Sequence, residues 1–355
     1  MLKKETKYLS FTQSINSTLS NSMAYDKNII VIGLGVDDPK GIFGTTLDLK
    51  NKFKNRVFDM PTAESSMAGI ALGLASSGMR PIITHQRVEF ALLSMEQIVN
   101  QIAKWHFMSA GVYKCPLVIR MIIGRGWGQG PQHSQSLESL FAHIPGLKVV
   151  APSNPKNAKG LLAASIKDDN PVIFFEHRWL HHTFGNVPDK DYYLSAFKSQ
   201  KVQNGKHITI ISFSYGIIES IKIAKVLKKF SIDVEIIDLI SLRPLDLSKS
   251  FNSLIKTKKV IIVENGWINY GIGSEILSRL TEKFSNKIKF KAKRMGLLDN
   301  SMASTRSLAN EMYPDTFKIG IEVLKMLNIN SKIIIRELKK YKSKDVPDQN
   351  FKGPF

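Results

Sequence analysis

Glu64 sits in the stretch Arg56–Ser66, RVFDMPTAESS, where the apolar pair Val57 and Phe58 ends at Asp59, Pro61 interrupts, and an apolar helix rich in small residues begins at Met67. A carboxylate at a helix start is stabilised by the helix dipole and by free N–H groups. On the local sequence Glu64 reads as a capping or dipole-matching group. His133 follows a run with four glycines in seven residues, Gly124 to Gly130. Such a run is a mobile or closely packed loop rather than core. An imidazole delivered by it reads, on the local sequence, as a solvent-facing loop histidine. The four-residue spacing of His177 and His181 would serve a metal on a helix, but these residues follow directly on a strand, and no metal site is expected. Ser212-Phe-Ser214-Tyr-Gly216 lacks the first glycine of a nucleophile elbow. Gly33-Leu-Gly35 has Asp38 and then Pro39 where a dinucleotide fingerprint has its third glycine and opens a helix.

The 355 residues are enough for two domains with separate cores. No apolar run reaches the roughly 18 residues that cross a bilayer, and the first residues hold charges without a secretory h-region, so a cytoplasmic protein without membrane contact is expected. The single cysteine, Cys115, rules out an intramolecular disulfide and reads as a small buried hydrophobe. The net charge of +20 comes from lysines spread along the chain among many Ile and Asn. That spread argues against nucleic-acid binding and for surface charge that helps meet an acidic partner or an anionic ligand.

The elements that position these residues alternate. Short apolar runs at 28–32, 79–84, 116–123, 147–151 and 171–175 read as buried parallel strands. Between them lie the helix after Glu64, a continuous helix over Leu92–Met108, and a helix capped by Asn154 with Pro155 at its first position. Residues 1–26 read as a polar, partly helical lead-in. After the polar stretch Asn186–Gly205 the pattern restarts, with strands near 207–212, 234–238 and 259–263. The fold class is α/β, with two doubly wound domains. The expected boundaries are 1–195, 196–330 and a basic C-terminal tail, 331–355, with few packing residues.

RVFDMPTAE with its small-residue helix, MRPII, EQIVNQIAK, GPQHSQSLE, HIPGLKVVAPSNPKNAKGLL, DNPVIFFE, ISLRPLD and VENGWINYGIGSEI occur in one order between about residues 28 and 328. That ordered set resembles the beta subunit of thiamine-diphosphate-dependent 2-oxoacid dehydrogenases (pyruvate dehydrogenase beta-like), which is similar to the pyrimidine-binding and C-terminal domains of transketolases. The resemblance implies that Glu64 bonds the aminopyrimidine ring of thiamine diphosphate and tunes the base that activates the thiazolium carbon. It also implies that Phe90 stacks on the pyrimidine, that Glu89 is its acidic neighbour, and that His133 is the active-site histidine.

The family normally holds the diphosphate and its Mg²⁺ with a GDG motif, and this sequence has none. The resemblance thus implies an alpha-type partner that carries the GDG motif and the Mg²⁺, with the cofactor shared in an α2β2 heterotetramer that contains a homodimer of beta chains. The expected activity is that of an oxidoreductase, a decarboxylating 2-oxoacid dehydrogenase. The alternatives are the C-terminal half of a split transketolase that transfers a ketol unit between sugars, and a non-catalytic regulatory subunit. Two departures from the family stand out. Gly33-Leu34-Gly35 replaces an acidic pair, and His85-Gln86-Arg87 is more polar than usual. Arg87, Arg125 and Arg178 are placed to form a polar pocket for a hydroxylated or anionic substrate.

Overall fold

Continuous apolar strands buried on both faces build the first of two units in this computed structural model, which describes residues 6–125, 128–194, 197–343 and 346. The first unit comprises Met1–Ile123 and Leu140–Phe197, the second Gly124–Ser139 and Lys198–Phe355. Gly124–Ser139, which the expected boundaries put in the first domain, is thus part of the second unit. Among the described residues no helix is long and apolar enough to cross a membrane.

In the first unit β1 (Thr6–Ser10) leads into α1 (Phe11–Tyr25), then β2 (Ile29–Gly33), α2 (Leu49–Phe53), β3 (Val57–Asp59), α3 (Glu64–Ser76) and β4 (Arg80–His85). After α4 (Trp105–Met108) and β5 (Val118–Ile123) the chain passes through α5 (Glu138–Ala142) to β6 (Lys148–Val150), α6 (Pro155–Lys167), β7 (Val172–His177) and β8 (Phe184–Pro188). The main strands run in the order β6-β7-β5-β4-β2-β3, all parallel. Strands such as IIVIG and VIRMII are buried along their whole length, as expected where helices cover both faces of a sheet.

The lead-in is more ordered than its polarity suggested. β1 pairs with β8, and α1 opens with a reciprocal capping box between Ser10 and Gln13. Its buried stripe, Phe11, Ile15, Leu19 and Met23, recurs every fourth residue. α6 carries the expected Asn154 cap, whose side chain accepts the N–H of Asn157.

The expected continuous helix over Leu92–Met108 is broken into a 3₁₀ segment, Val88–Ser94, a π segment, Gln97–Ile102, and the short α4. Val88, Ala91 and Ser94 are the buried residues of the first segment, a three-residue repeat that favours the tighter turn. The Leu93 carbonyl also accepts a hydrogen bond from the Ser65 hydroxyl, which draws it away from the helical ladder.

In the second unit β9 (Gln200–Gln203) precedes β10 (Ile208–Ser212), α7 (Tyr215–Lys228), β11 (Val234–Asp238), β12 (Ser241–Arg243), α8 (Ser248–Thr257) and β13 (Lys259–Trp267). The chain ends with α9 (Ile272–Phe284), β14 (Lys291–Leu297), α10 (Arg306–Met312), α11 (Thr316–Leu327) and α12 (Lys332–Lys339). Its sheet runs β14-β13-β10-β11-β9, parallel except for the edge strand β9. α12 lies inside the region expected to be a tail with few packing residues. Instead its Ile334 and Leu338 join the core beside Ile319, Val323 and Leu227, because these two apolar positions, four residues apart, share one face of the helix while Ile333 is left exposed.

Candidate active site

The carboxyl ends of β2, β3 and β4 converge on one recess of the first unit. In chain order β2 is followed by β3 on one side of it and then by β4 on the other. Crossovers leaving in opposite directions open a crevice beyond the strand ends, where ligands of parallel sheets bind. Leu34 enters from the turn after β2, Pro61 and Glu64 follow β3, Thr84, His85 and Gln86 end β4, and Phe90 closes the rim with Met67.

Local chemistry fixes each of these pieces. Gly33 has no substitute, because a Cβ there would lie 2.5 Å from the Thr84 carbonyl oxygen. Asp59 accepts the N–H of Gly35, and Gln86 Nε2 donates to the Leu34 carbonyl at 3.2 Å, so the turn after β2 is pinned from both neighbouring strands. Glu64 is the first residue of α3, 6% exposed, with no hydrogen-bond or ion-pair partner among the described residues. His85 is 3% exposed, and its Nε2 has no partner among the described residues. Burial pushes its imidazole down to about 4, so it is neutral at neutral pH. The free volume of the recess is about 10 Å³, room for about one water.

A fully buried polar cluster stands behind the recess. Arg120 on β5 donates from Nε to Glu176 Oε1 at 2.7 Å and from Nη1 to the Thr84 hydroxyl at 3.3 Å. His181 Nε2 lies 3.2 Å from Glu176 Oε2. Burial works to raise the Glu176 carboxyl, and Arg120 and His181 outweigh it and hold it low. Burial pushes His181 down to about 4 despite Glu176, which makes this contact a neutral N–H donated to a carboxylate rather than an ion pair. His177 caps a 3₁₀ turn by accepting the N–H of Trp179. Neither histidine is on a helix. Among the described residues no group of three or more His, Cys, Asp or Glu side chains is arranged to hold a metal ion. Cys115 is buried, and burial pushes its thiol up to about 12, so it packs as a hydrophobe.

The remaining residues singled out from sequence fall in three places. Glu89 is half-buried on the 3₁₀ turn that carries Phe90. Arg87 is buried next to Arg178, whose guanidinium is pushed down to about 10 by burial and by the Arg87 charge. Arg178 stacks over Phe43 at 4.3 Å. Arg125 belongs to the second unit, where it donates to the Ser343 hydroxyl at 2.9 Å and lies 3.6 Å over the Tyr313 ring. His133, half-buried, is also in the second unit. The structure thus brings Glu64 and Phe90 together. His85 was named from sequence only as a polar departure, and its place as the last residue of a parallel strand was the signal for the site.

Comparison with known proteins places the fold and the site in context. The family described as "Transketolase, pyrimidine binding domain" matches residues 7–182, and "Transketolase, C-terminal domain" matches 198–319. The chain is 39% identical over 272 residues, 76% of its length and 84% of the other, to a pyruvate dehydrogenase E1 component subunit beta of Gracilaria tenuistipitata var. liui. It is 32% identical over 327 residues, 90% and 91% of the two chains, to the mitochondrial protein of that name in Rattus norvegicus. It is 35% identical over 291 residues, 79% and 86%, to the acetoin:2,6-dichlorophenolindophenol oxidoreductase subunit beta of Cupriavidus necator. Among solved structures, "Split gene transketolase, inactive beta4 tetramer" superposes with a TM-score of 0.74 over 91% of this chain and 99% of the other at 20% identity, a likeness of fold.

Proposed function

We propose a function on one premise: this chain belongs to the family of pyruvate dehydrogenase E1 beta subunits, thiamine-diphosphate-dependent enzymes with a transketolase pyrimidine-binding domain and a transketolase C-terminal domain. In this reading it is the beta-type subunit of a decarboxylating 2-oxoacid dehydrogenase and presents the recess at Glu64 to the aminopyrimidine end of the cofactor. When bound, thiamine diphosphate would supply a nucleophilic carbon and a cationic ring that takes up the electron pair left by decarboxylation. Glu64 would hold a proton in a hydrogen bond to the aminopyrimidine end of the cofactor, and Phe90 would pack against the ring and keep water from it. His133 orients the substrate carbonyl or carboxylate, or moves a proton at its oxygen.

The single observation that carries this reading is a buried carboxyl at the start of α3, without a partner, in a recess at the strand ends. A scaffold has no use for such a group, since an unmatched buried acid costs stability.

The Mg²⁺ and the diphosphate are assigned to an alpha-type partner. The absence of a Gly-Asp-Gly motif in the 355 residues supports this. Exposed Phe107, Met108, Val112 and Tyr113, close together in sequence after α4 begins, give apolar surface for the subunit contacts of an α2β2 assembly. The test mixes the chain with an alpha-type protein. Glu64→Gln should keep thiamine diphosphate binding within about tenfold while turnover of a 2-oxoacid falls by about 10²-fold or more, the range of a lost proton-transfer group. Equal turnover would remove Glu64 from the mechanism.

A further inference from the structure

Glu138 and Glu264 form a second group of buried acids, inside the second unit and with no part in the recess. Each is 2% exposed, neither makes an ion pair among the described residues, and the Oε1 atom of each has no hydrogen-bond partner there. The chain is shaped around them. A Cβ on Gly271 would lie 2.0 Å from Glu264 Oε2, and one on Gly273 would lie 2.6 Å from its Oε1. A Cβ on Gly266 would lie 2.9 Å from the Ser136 carbonyl oxygen and 3.3 Å from Glu138 Oε2. Glu264 Oε2 accepts the Gly273 N–H at 3.2 Å at the start of α9. Glu138 is bonded by the Asn265 side chain. Arg294 on β14, the cation among the described residues that acts on Glu264, donates to the Ile268 carbonyl at 2.6 Å and to the Ser274 hydroxyl.

Two carboxylates buried side by side without a matching cation cannot both keep their charge. We infer that Glu138 and Glu264 are a proton-held latch, fastening the stretch Gly130–Glu138 to β13 and the start of α9 while they carry protons and releasing it when both ionise. Burial pushes Glu138 up to about 7, against its bonds to its own N–H and to Asn265. Burial also pushes Glu264 up to about 8, with the Glu138 charge adding to it and the N–H groups of Gly273 and Ile272 and the Arg294 charge opposing. The two titrate as a pair. An open stretch leaves both carboxyls in water, ionised above their ordinary value near 4.5. Opening therefore releases up to two protons between about pH 5 and 7, and alkali favours it. Because His133 is on the fastened stretch, the latch also sets when that imidazole is held in place. That consequence rests on the role proposed for His133, whereas the latch itself does not.

Hydrogen exchange of the 130–138 amides in the full-length chain, corrected for intrinsic exchange, tests the latch. The opening constant should rise by up to about 100-fold per pH unit between pH 5 and 7, by about tenfold in Glu264→Gln or Glu138→Gln, and by nothing in the double variant. His133→Ala should keep the native slope, so a failed role for His133 leaves this result standing. A native slope of zero, or an unchanged slope in the double variant, overturns the latch. If the glutamine variants do not fold, infrared spectra of the native chain decide: protonated-carboxyl carbonyl bands at pH 6 that vanish by pH 9 support it, and their absence at pH 6 overturns it.

Discussion

Glu176 and Glu64 are both buried carboxyls of the first unit, and their surroundings differ in kind. Glu176 is matched by Arg120 and His181, while Glu64 faces a recess with nothing bonded to it among the described residues. The motif around Glu64 was legible because the order strand, proline turn, acid and small-residue helix is local. The Arg120–Glu176–His181 cluster was not, because its members are brought together by strand pairing across 56 positions of sequence. The same holds for Glu138 and Glu264, which look unremarkable in their own segments. His85 offers a residue-scale prediction. Its buried Nε2 lacks a partner, and an unmet buried polar atom costs about 1–3 kcal/mol. His85→Phe should raise the unfolding free energy of the first unit by about 1 kcal/mol in urea denaturation. A loss of stability would mean that Nε2 is satisfied in solution.

At the scale of elements, period and neighbours decide. The central strands were legible because a run such as VIRMII has few alternatives to a doubly covered strand. The segment Leu92–Met108 was misread because apolar spacing near 3.6 does not reveal which carbonyls are taken by other groups, here Leu93 by Ser65. α12 was missed for a different reason: the helix is only eight residues long and lies in a basic segment, and the two apolar residues that matter, Ile334 and Leu338, are buried on one side. Leu338 is wholly buried against the core of the second unit. Leu338→Ala should cost about 2–4 kcal/mol, the range for removing a large aliphatic side chain from a packed core, read as a lower denaturation midpoint for that unit. A change below about 0.5 kcal/mol would mark α12 as an appendage after all.

At the scale of the whole molecule, the two units are built with opposite responses to pH. In the first, His85 and His181 are pushed down to about 4 from 6.5, so their contribution is present above pH 6.5 and is lost as the pH falls through 4. In the second, Glu138 and Glu264 are pushed up to about 7 and about 8 from 4.5, so their contribution is present below pH 4.5 and is lost as the pH rises through 8. Between pH 5 and 6.5 calorimetry should show one transition moving up and the other down as pH increases, with His85→Phe flattening the first and Glu138→Gln the second. Parallel movement of both would contradict these assignments. The α/β class and the two-core organisation were legible from the alternation of strands and helices. The membership of Gly124–Ser139 in the second unit was not, because a glycine-rich stretch carries no periodicity to show where it packs. The small free volume of the recess bears on inhibitor discovery. A fragment screen against the lone chain should give few hits at Glu64, and under the proposed function a campaign against this site begins from the chain mixed with its alpha-type partner.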